Sequence, residues 1–92
     1  IVTGYFSGES EQDKVARCLN NKNSELYSNN FCKECEKQKK IFGNSFNSIK
    51  YVDCGKEKES CANIREIPAW YINAEIYYGF KDLDELKAIA DC

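Results

Sequence analysis

The sequence predicts a small α/β domain in which a central, mixed four-stranded sheet carries helices on both faces. Three observations lead there. β-prone runs alternate with helical segments along the first part of the chain, two further β-prone runs lie close enough to pair as a hairpin, and a capped amphipathic segment closes the sequence. Strands separated by helices favour parallel pairing and a hairpin is antiparallel, so one sheet that holds both is mixed.

Residues 1–8, Ile-Val-Thr-Gly-Tyr-Phe-Ser-Gly, show no period, and an irregular arm is expected over residues 1–9. Ser10-Glu11-Gln12-Asp13 reads as a capping box, whose side chains satisfy orphan N–H groups at a helix start. Val15, Cys18 and Leu19 follow at i, i+3 and i+4, giving a helix over 11–21 that Asn20, Asn21 and Asn23 bring to an end. Glu25-Leu26-Tyr27-Ser28 is the first strand. After Asn29-Asn30 comes Phe31-Cys32-Lys33-Glu34-Cys35, which opens a charged helix running to Phe42, with Gly43 closing it. Gln38 and Lys39 then have to lie partly against the core, because Cys35, Ile41 and Phe42 are the only apolar positions. Ile49-Lys50-Tyr51-Val52 is the second strand and Asp53-Cys54-Gly55 a turn. Residues 57–64, with Cys61 and Ile64 at helical spacing, are expected to form one or two helical turns. Beyond Pro68, Trp70-Tyr71-Ile72 and Ile76-Tyr77-Tyr78 flank Asn73-Ala74-Glu75 as a hairpin. Asp82 and Glu85 cap a last helix whose apolar face is Leu83, Leu86, Ile89 and Ala90. The order α-β-α-β-α-β-β-α is that of a thioredoxin-like fold with an extra N-terminal helix, expected as one domain over residues 1–92.

Composition narrows the chemistry. The 92 residues include 13 Lys+Arg and 15 Asp+Glu, a net charge of −2 that leaves no footprint for nucleic acid. No apolar run approaches the roughly 20 residues of a membrane span. The chain has no His, so Ser-His and Cys-His dyads, His metal ligands and imidazole proton shuttles are all excluded. What it has is six Cys, an even number that points to an oxidising, extracytoplasmic compartment. A chain opening on Ile1 rather than Met reads as a mature form, with any signal or membrane anchor expected upstream.

Cys32-x-x-Cys35 at a strand-to-helix junction is the most informative feature. The first cysteine falls at a helix N-terminus, where free N–H groups and the macrodipole favour a thiolate. The second lies less than one turn away, within reach of the first. Cys32 is then the attacking sulfur and Cys35 the resolving one. The competing readings are an inert structural disulfide and a zinc half-site. Zinc would require Cys54-x6-Cys61 to converge on the same ion, at a spacing longer than second pairs usually show.

Cys54 and Cys61 bracket a charged loop with little to bury, so a bridge there reads as a structural staple. Cys18 and Cys92 are left over; they pair by elimination, or remain a buried thiol and a frayed terminal one. Both outcomes stay open. The aromatic residues of the hairpin read as core and sheet filler, and the mixed Lys-Glu runs at 33–40 and 56–59 as solvated faces.

The chain also resembles the small thioredoxin-like domain fused to, or partnering, bacterial-type vitamin K epoxide reductase homologues. The matching positions are Cys18-Leu19, Leu26-Tyr27, Phe31-Cys32-x-x-Cys35, Gln38-Lys39-x-x-Phe42-Gly43, Tyr51-Val52-x-Cys54, Cys61, Ile67-Pro68-x-Trp70 and Gly79. The resemblance implies an extracytoplasmic disulfide oxidoreductase that acts on protein cysteines and is recycled by a membrane-embedded redox partner; a monomer without a cofactor is expected. It further implies that Pro68 follows a cis peptide bond and that Phe31, Ile67 and Pro68 contact substrate, Ile67 by offering its backbone to an extended segment. Four departures stand out: Lys33-Glu34 replaces Pro-His, Phe31 replaces Trp, Ala69 replaces Thr, and Leu26 takes the place of the buried carboxylate of thioredoxins proper. Oxidant, isomerase and reductase are all compatible with this pattern. A disulfide-stapled binding module using the hairpin aromatics is the reading from a different class.

Overall fold

Ser10 caps the first helix. In the computed structural model, which describes residues 10–92, its side chain accepts from the Asp13 N–H while the Asp13 carboxylate accepts from the Ser10 N–H. The arm expected over residues 1–9 lies outside the described residues. Helix α1 (Glu11–Asn21) buries Val15, Ala16 and Leu19, and Asn23 turns the chain out of it at φ 56°. Strand β1 (Glu25–Ser28) leads to α2 (Lys33–Lys40), followed by a 3₁₀ helix (Gly43–Ser48) and β2 (Lys50–Asp53). The hairpin is β3 (Ala69–Ile72) and β4 (Glu75–Tyr78), and α3 (Leu83–Ala90) ends the chain behind a second capping box from Asp82 and Glu85.

The four strands form one mixed sheet in the order β2-β1-β3-β4. β1 pairs in parallel with β2 and antiparallel with β3, and β3 pairs antiparallel with β4. Leu26 lies opposite Tyr51 on one side and Trp70 on the other, and Trp70 lies opposite Tyr77. Register partners share a face, so these residues and Ile72 make one face of the sheet. That face is the floor of the core. Val15, Ala16 and Leu19 of α1, Leu86 and Ala90 of α3, and Phe42 and Ile49 complete the cluster around Leu26, Trp70 and Ile72. The Phe42 ring is tilted against Trp70, with centroids 6.1 Å apart.

Two expectations need correcting. Residues 57–64 form no helix: the N–H groups of Ser60, Cys61, Ala62 and Ile64 each bond a carbonyl three residues back, giving a chain of turns. The cause is local. A segment of mostly exposed residues, with Cys61 and Ile64 alone half-buried, has no apolar stripe to dock, and the Cys54–Cys61 bridge folds it back within a few residues.

Nor do helices cover both faces of the sheet. All the helical residues of the core cluster pack on the Leu26–Trp70 face, and residues 57–64, the other segment expected to be helical, stay in turns. Among the described residues that second face carries buried Val52 and Ala69 beside half-buried Tyr27, the ion-paired Glu25 and Lys50, and exposed Tyr71 and Ile76. Smaller shifts occur at the helix that follows the cysteine motif. It stops at Lys40, and Gly43, at φ 56°, begins the 3₁₀ helix rather than simply ending the α-helix.

Candidate active site

β1 ends at buried Ser28, and the chain must turn from strand to helix within residues 29–32. Asn29 makes that turn by accepting the Phe31 N–H on its side-chain oxygen at 2.8 Å. Cys32 then takes the N-cap position of α2 with extended backbone, φ −123° and ψ 121°. Its sulfur accepts the Cys35 N–H at 3.2 Å, doing for this helix what a Ser or Asp side chain does for others.

Cys32 and Cys35 are joined in a disulfide, with Cα atoms 5.1 Å apart. The two sulfurs are not equivalent. Cys32 is half-buried, whereas Cys35, on the inner side of α2, is fully buried. An incoming sulfur therefore meets Cys32 first. The helix N-terminus presents its free N–H groups at the same place and favours negative charge on that atom. Lys33 and Glu34 are both exposed and of opposite sign.

The loop before β3 forms the other side of the site. The Ile67–Pro68 peptide bond is cis, Pro68 is buried, and the Ile67 carbonyl oxygen lies 3.9 Å from the Cys32 sulfur. The Pro68 carbonyl is taken by the Gly79 N–H at 2.8 Å, which anchors the loop to the end of β4. The fold thus brings Phe31, Cys32, Cys35, Ile67 and Pro68 together. Leu26 is fully buried in the core, and the buried polar residues described are Ser24, Ser28, Gln38 and Ser45, with no carboxylate among them.

The other cysteines are paired as well. Cys54 bonds Cys61 across the charged loop, and the Cys54 N–H donates to the Ser28 carbonyl at 2.8 Å, so this bridge starts beside the loop that carries Phe31. Cys18 bonds Cys92, joining α1 to the residue that follows the turn after α3. That bridge lines a separate groove with Glu11, Lys14, Val15 and Lys87, away from the Cys32–Cys35 pair. Among the described residues, no group of three or more His, Cys, Asp or Glu side chains is arranged to hold a metal ion.

No known protein-family model matches the chain. Its site therefore has to be read from its own geometry.

Gln38 is the residue whose part in that geometry composition gives least reason to expect. It lies one turn beyond Cys35, is fully buried, and makes two hydrogen bonds to one backbone unit: Nε2 donates to the Lys81 carbonyl at 2.7 Å, and Oε1 accepts the Lys81 N–H at 2.8 Å. This pair fixes the inner side of α2 to the segment entering α3. Lys37 adds a contact from the rim, its ammonium 4.6 Å from the centre of the Phe80 ring. The sequence signals were the need for Gln38 to face inward and its place among the matching positions of the resemblance; its partner, 43 positions away, had none.

Proposed function

We propose that this chain is a thioredoxin-like thiol–disulfide oxidoreductase that exchanges disulfides with protein cysteines through Cys32 and Cys35. One observation carries the reading: a bonded Cys-x-x-Cys pair whose first sulfur caps a helix and is reachable, and whose second sulfur is buried behind it. The strand order β2-β1-β3-β4 with a parallel β1–β2 pair, and a cis-proline beside the first cysteine, support the thioredoxin-like part. Three disulfides are of the kind kept in oxidising compartments, which supports an extracytoplasmic location; recycling by a membrane-embedded partner is part of the proposal. No described helix is long and apolar enough to cross a membrane.

In the reduced protein the Cys32 thiolate attacks a substrate disulfide. The substrate S–S bond breaks, one substrate sulfur leaves as a thiolate and takes a proton, and a Cys32–substrate disulfide forms. Cys35 then gives up its proton and attacks the Cys32 sulfur, which releases the second substrate thiol. The protein loses two electrons and the substrate gains them. The reverse sequence oxidises a dithiol through the same intermediate, and the potential of the partner sets the direction.

A glutathione titration with thiol trapping tests this. The Cys32–Cys35 pair is expected to titrate between roughly −270 and −120 mV, the span of thioredoxin-type pairs, with Cys32 alkylated well before Cys35 once reduced. The second reading, a disulfide-stapled binding module, draws on the exposed Tyr71 and Ile76 of the second sheet face. It requires the pair to have a reduction potential below about −300 mV, as structural bridges do, so that the glutathione titration leaves it oxidised.

A further inference from the structure

Phe31 is 96% exposed, the most exposed large apolar residue described. A single exposed apolar ring is ordinary and means little by itself. Its position gives it meaning, because it is bonded to Cys32 and forms one wall of a groove of about 190 Å3. The opposite wall is the turn at Asp53, Gly55 and Lys56, and Asn29 and Asn30 complete the lining. A groove of this size is below the roughly 300–1,000 Å3 of small-molecule pockets and has room for a side chain instead.

We propose that this groove seats the substrate residue next to the cysteine under attack, and that it selects an apolar residue there. The proposal rests on the oxidoreductase reading and adds a substrate preference to it. A segment joined to Cys32 has its own Cα about 6 Å from that of Cys32, so its neighbouring residues cannot lie far from the Phe31 ring. Phe31 is the one large apolar residue in the lining of the groove, and the others are asparagine, aspartate, glycine and lysine, so an apolar substrate residue has one partner there.

Both walls are already formed. On one side Asn29 holds the Phe31 N–H, and the Lys39 ammonium donates to the Asn30 side-chain oxygen at 3.4 Å. On the other, the Asp53 side chain accepts the Gly55 N–H, and the Asp53 carbonyl accepts the N–H groups of Lys56 and Glu57 at 3.0 and 2.8 Å. The two walls are linked by the Cys54 N–H on the Ser28 carbonyl. Beyond that turn the chain is exposed and charged, and the Cys54–Cys61 bridge is what holds it in place. This makes the second disulfide a positioning element for specificity at the first.

The test is a single-turnover oxidation of the reduced full chain by two disulfide-linked peptide dimers. In one the cysteine is flanked by leucines, in the other by serines, and rates are read by thiol trapping. The leucine peptide is expected to react about tenfold faster, the effect of partly burying one aliphatic side chain. In Phe31→Ser that ratio should fall towards one. Phe31 packs on nothing in the core, so this variant is expected to fold. The Cys54→Ser, Cys61→Ser double variant should also lower the ratio. A wild-type ratio of one, or a ratio that Phe31→Ser leaves intact, overturns the groove proposal. Failure of both peptides to oxidise the wild-type pair overturns the oxidoreductase reading itself, so the two failures are distinguishable.

Discussion

Gln38 shows how much one buried amide can carry. Both its polar atoms are matched by the backbone of Lys81, and replacing it with leucine would leave a buried N–H and a carbonyl without partners. Gln38→Leu is therefore expected to lower stability by roughly 2–3 kcal/mol in urea unfolding, although leucine is the better residue for an apolar site. A loss below about 0.5 kcal/mol would mean that water replaces the amide. Tyr27 offers a second test at this scale. Burial, and then the hydrogen bond its hydroxyl donates to Glu25 at 2.7 Å, push its phenol up to about 12, while that same bond is the main cause of the lowered Glu25 carboxyl. A phenol raised on folding gives stability that is complete below its ordinary value near 10 and is lost as pH rises through about 12. An ultraviolet titration should show the latest tyrosine step disappear in Tyr27→Phe, and the alkaline loss of stability should shrink with it. An unchanged last step would assign that behaviour to another tyrosine.

Among the elements, the hairpin holds the clearest prediction. Ile72 pairs with Glu75, leaving a two-residue loop of Asn73 and Ala74 with φ of 51° and 70°. Positive φ at both positions is what a type I′ turn requires, and asparagine tolerates it where alanine does not. The tight loop, rather than one widened to Glu75, is the form adopted. Ala74→Gly should stabilise the domain by about 1 kcal/mol, seen as a higher urea midpoint at unchanged slope. Destabilisation would show that the alanine methyl makes a contact worth more than the backbone cost. Elements of this kind were legible in the sequence because their causes are local: both capping boxes, the hairpin and the Cys-x-x-Cys helix start are written within a few residues of each other. The 3₁₀ helix after α2 was not legible. Phe42, which read as the end of a helix, instead turns into the core against Trp70.

For the molecule as a whole, the less legible property is which side of the sheet the helices cover. That depends on where segments dock, and residues 57–64 carry the spacing of a helix without the apolar surface to dock one. The disulfides act at this scale too. In the chain-entropy view a bridge stabilises more the longer the loop it closes. Cys18–Cys92 has a separation of 74 residues and Cys54–Cys61 one of 7, corresponding to roughly 4–5 and 2–3 kcal/mol. The Cys18→Ser, Cys92→Ser variant should accordingly melt below the Cys54→Ser, Cys61→Ser variant, with both scans run at the same pH and with Cys32–Cys35 oxidised. The reverse order would mean that α1 and α3 hold together through Leu19, Leu86 and their neighbours without help from sulfur.

The Cys18–Cys92 bridge also decides how the chain responds to being pulled. Tension applied at its two ends travels along α1 to Cys18 and crosses the sulfur bridge to Cys92. The sheet, α2 and the Cys32–Cys35 site all lie on the closed loop between those two residues, so they bear none of that load. In a single-molecule experiment the oxidised protein should extend only by residues outside the Cys18–Cys92 loop, and the sheet should begin to unravel under force only after the bridge has been reduced.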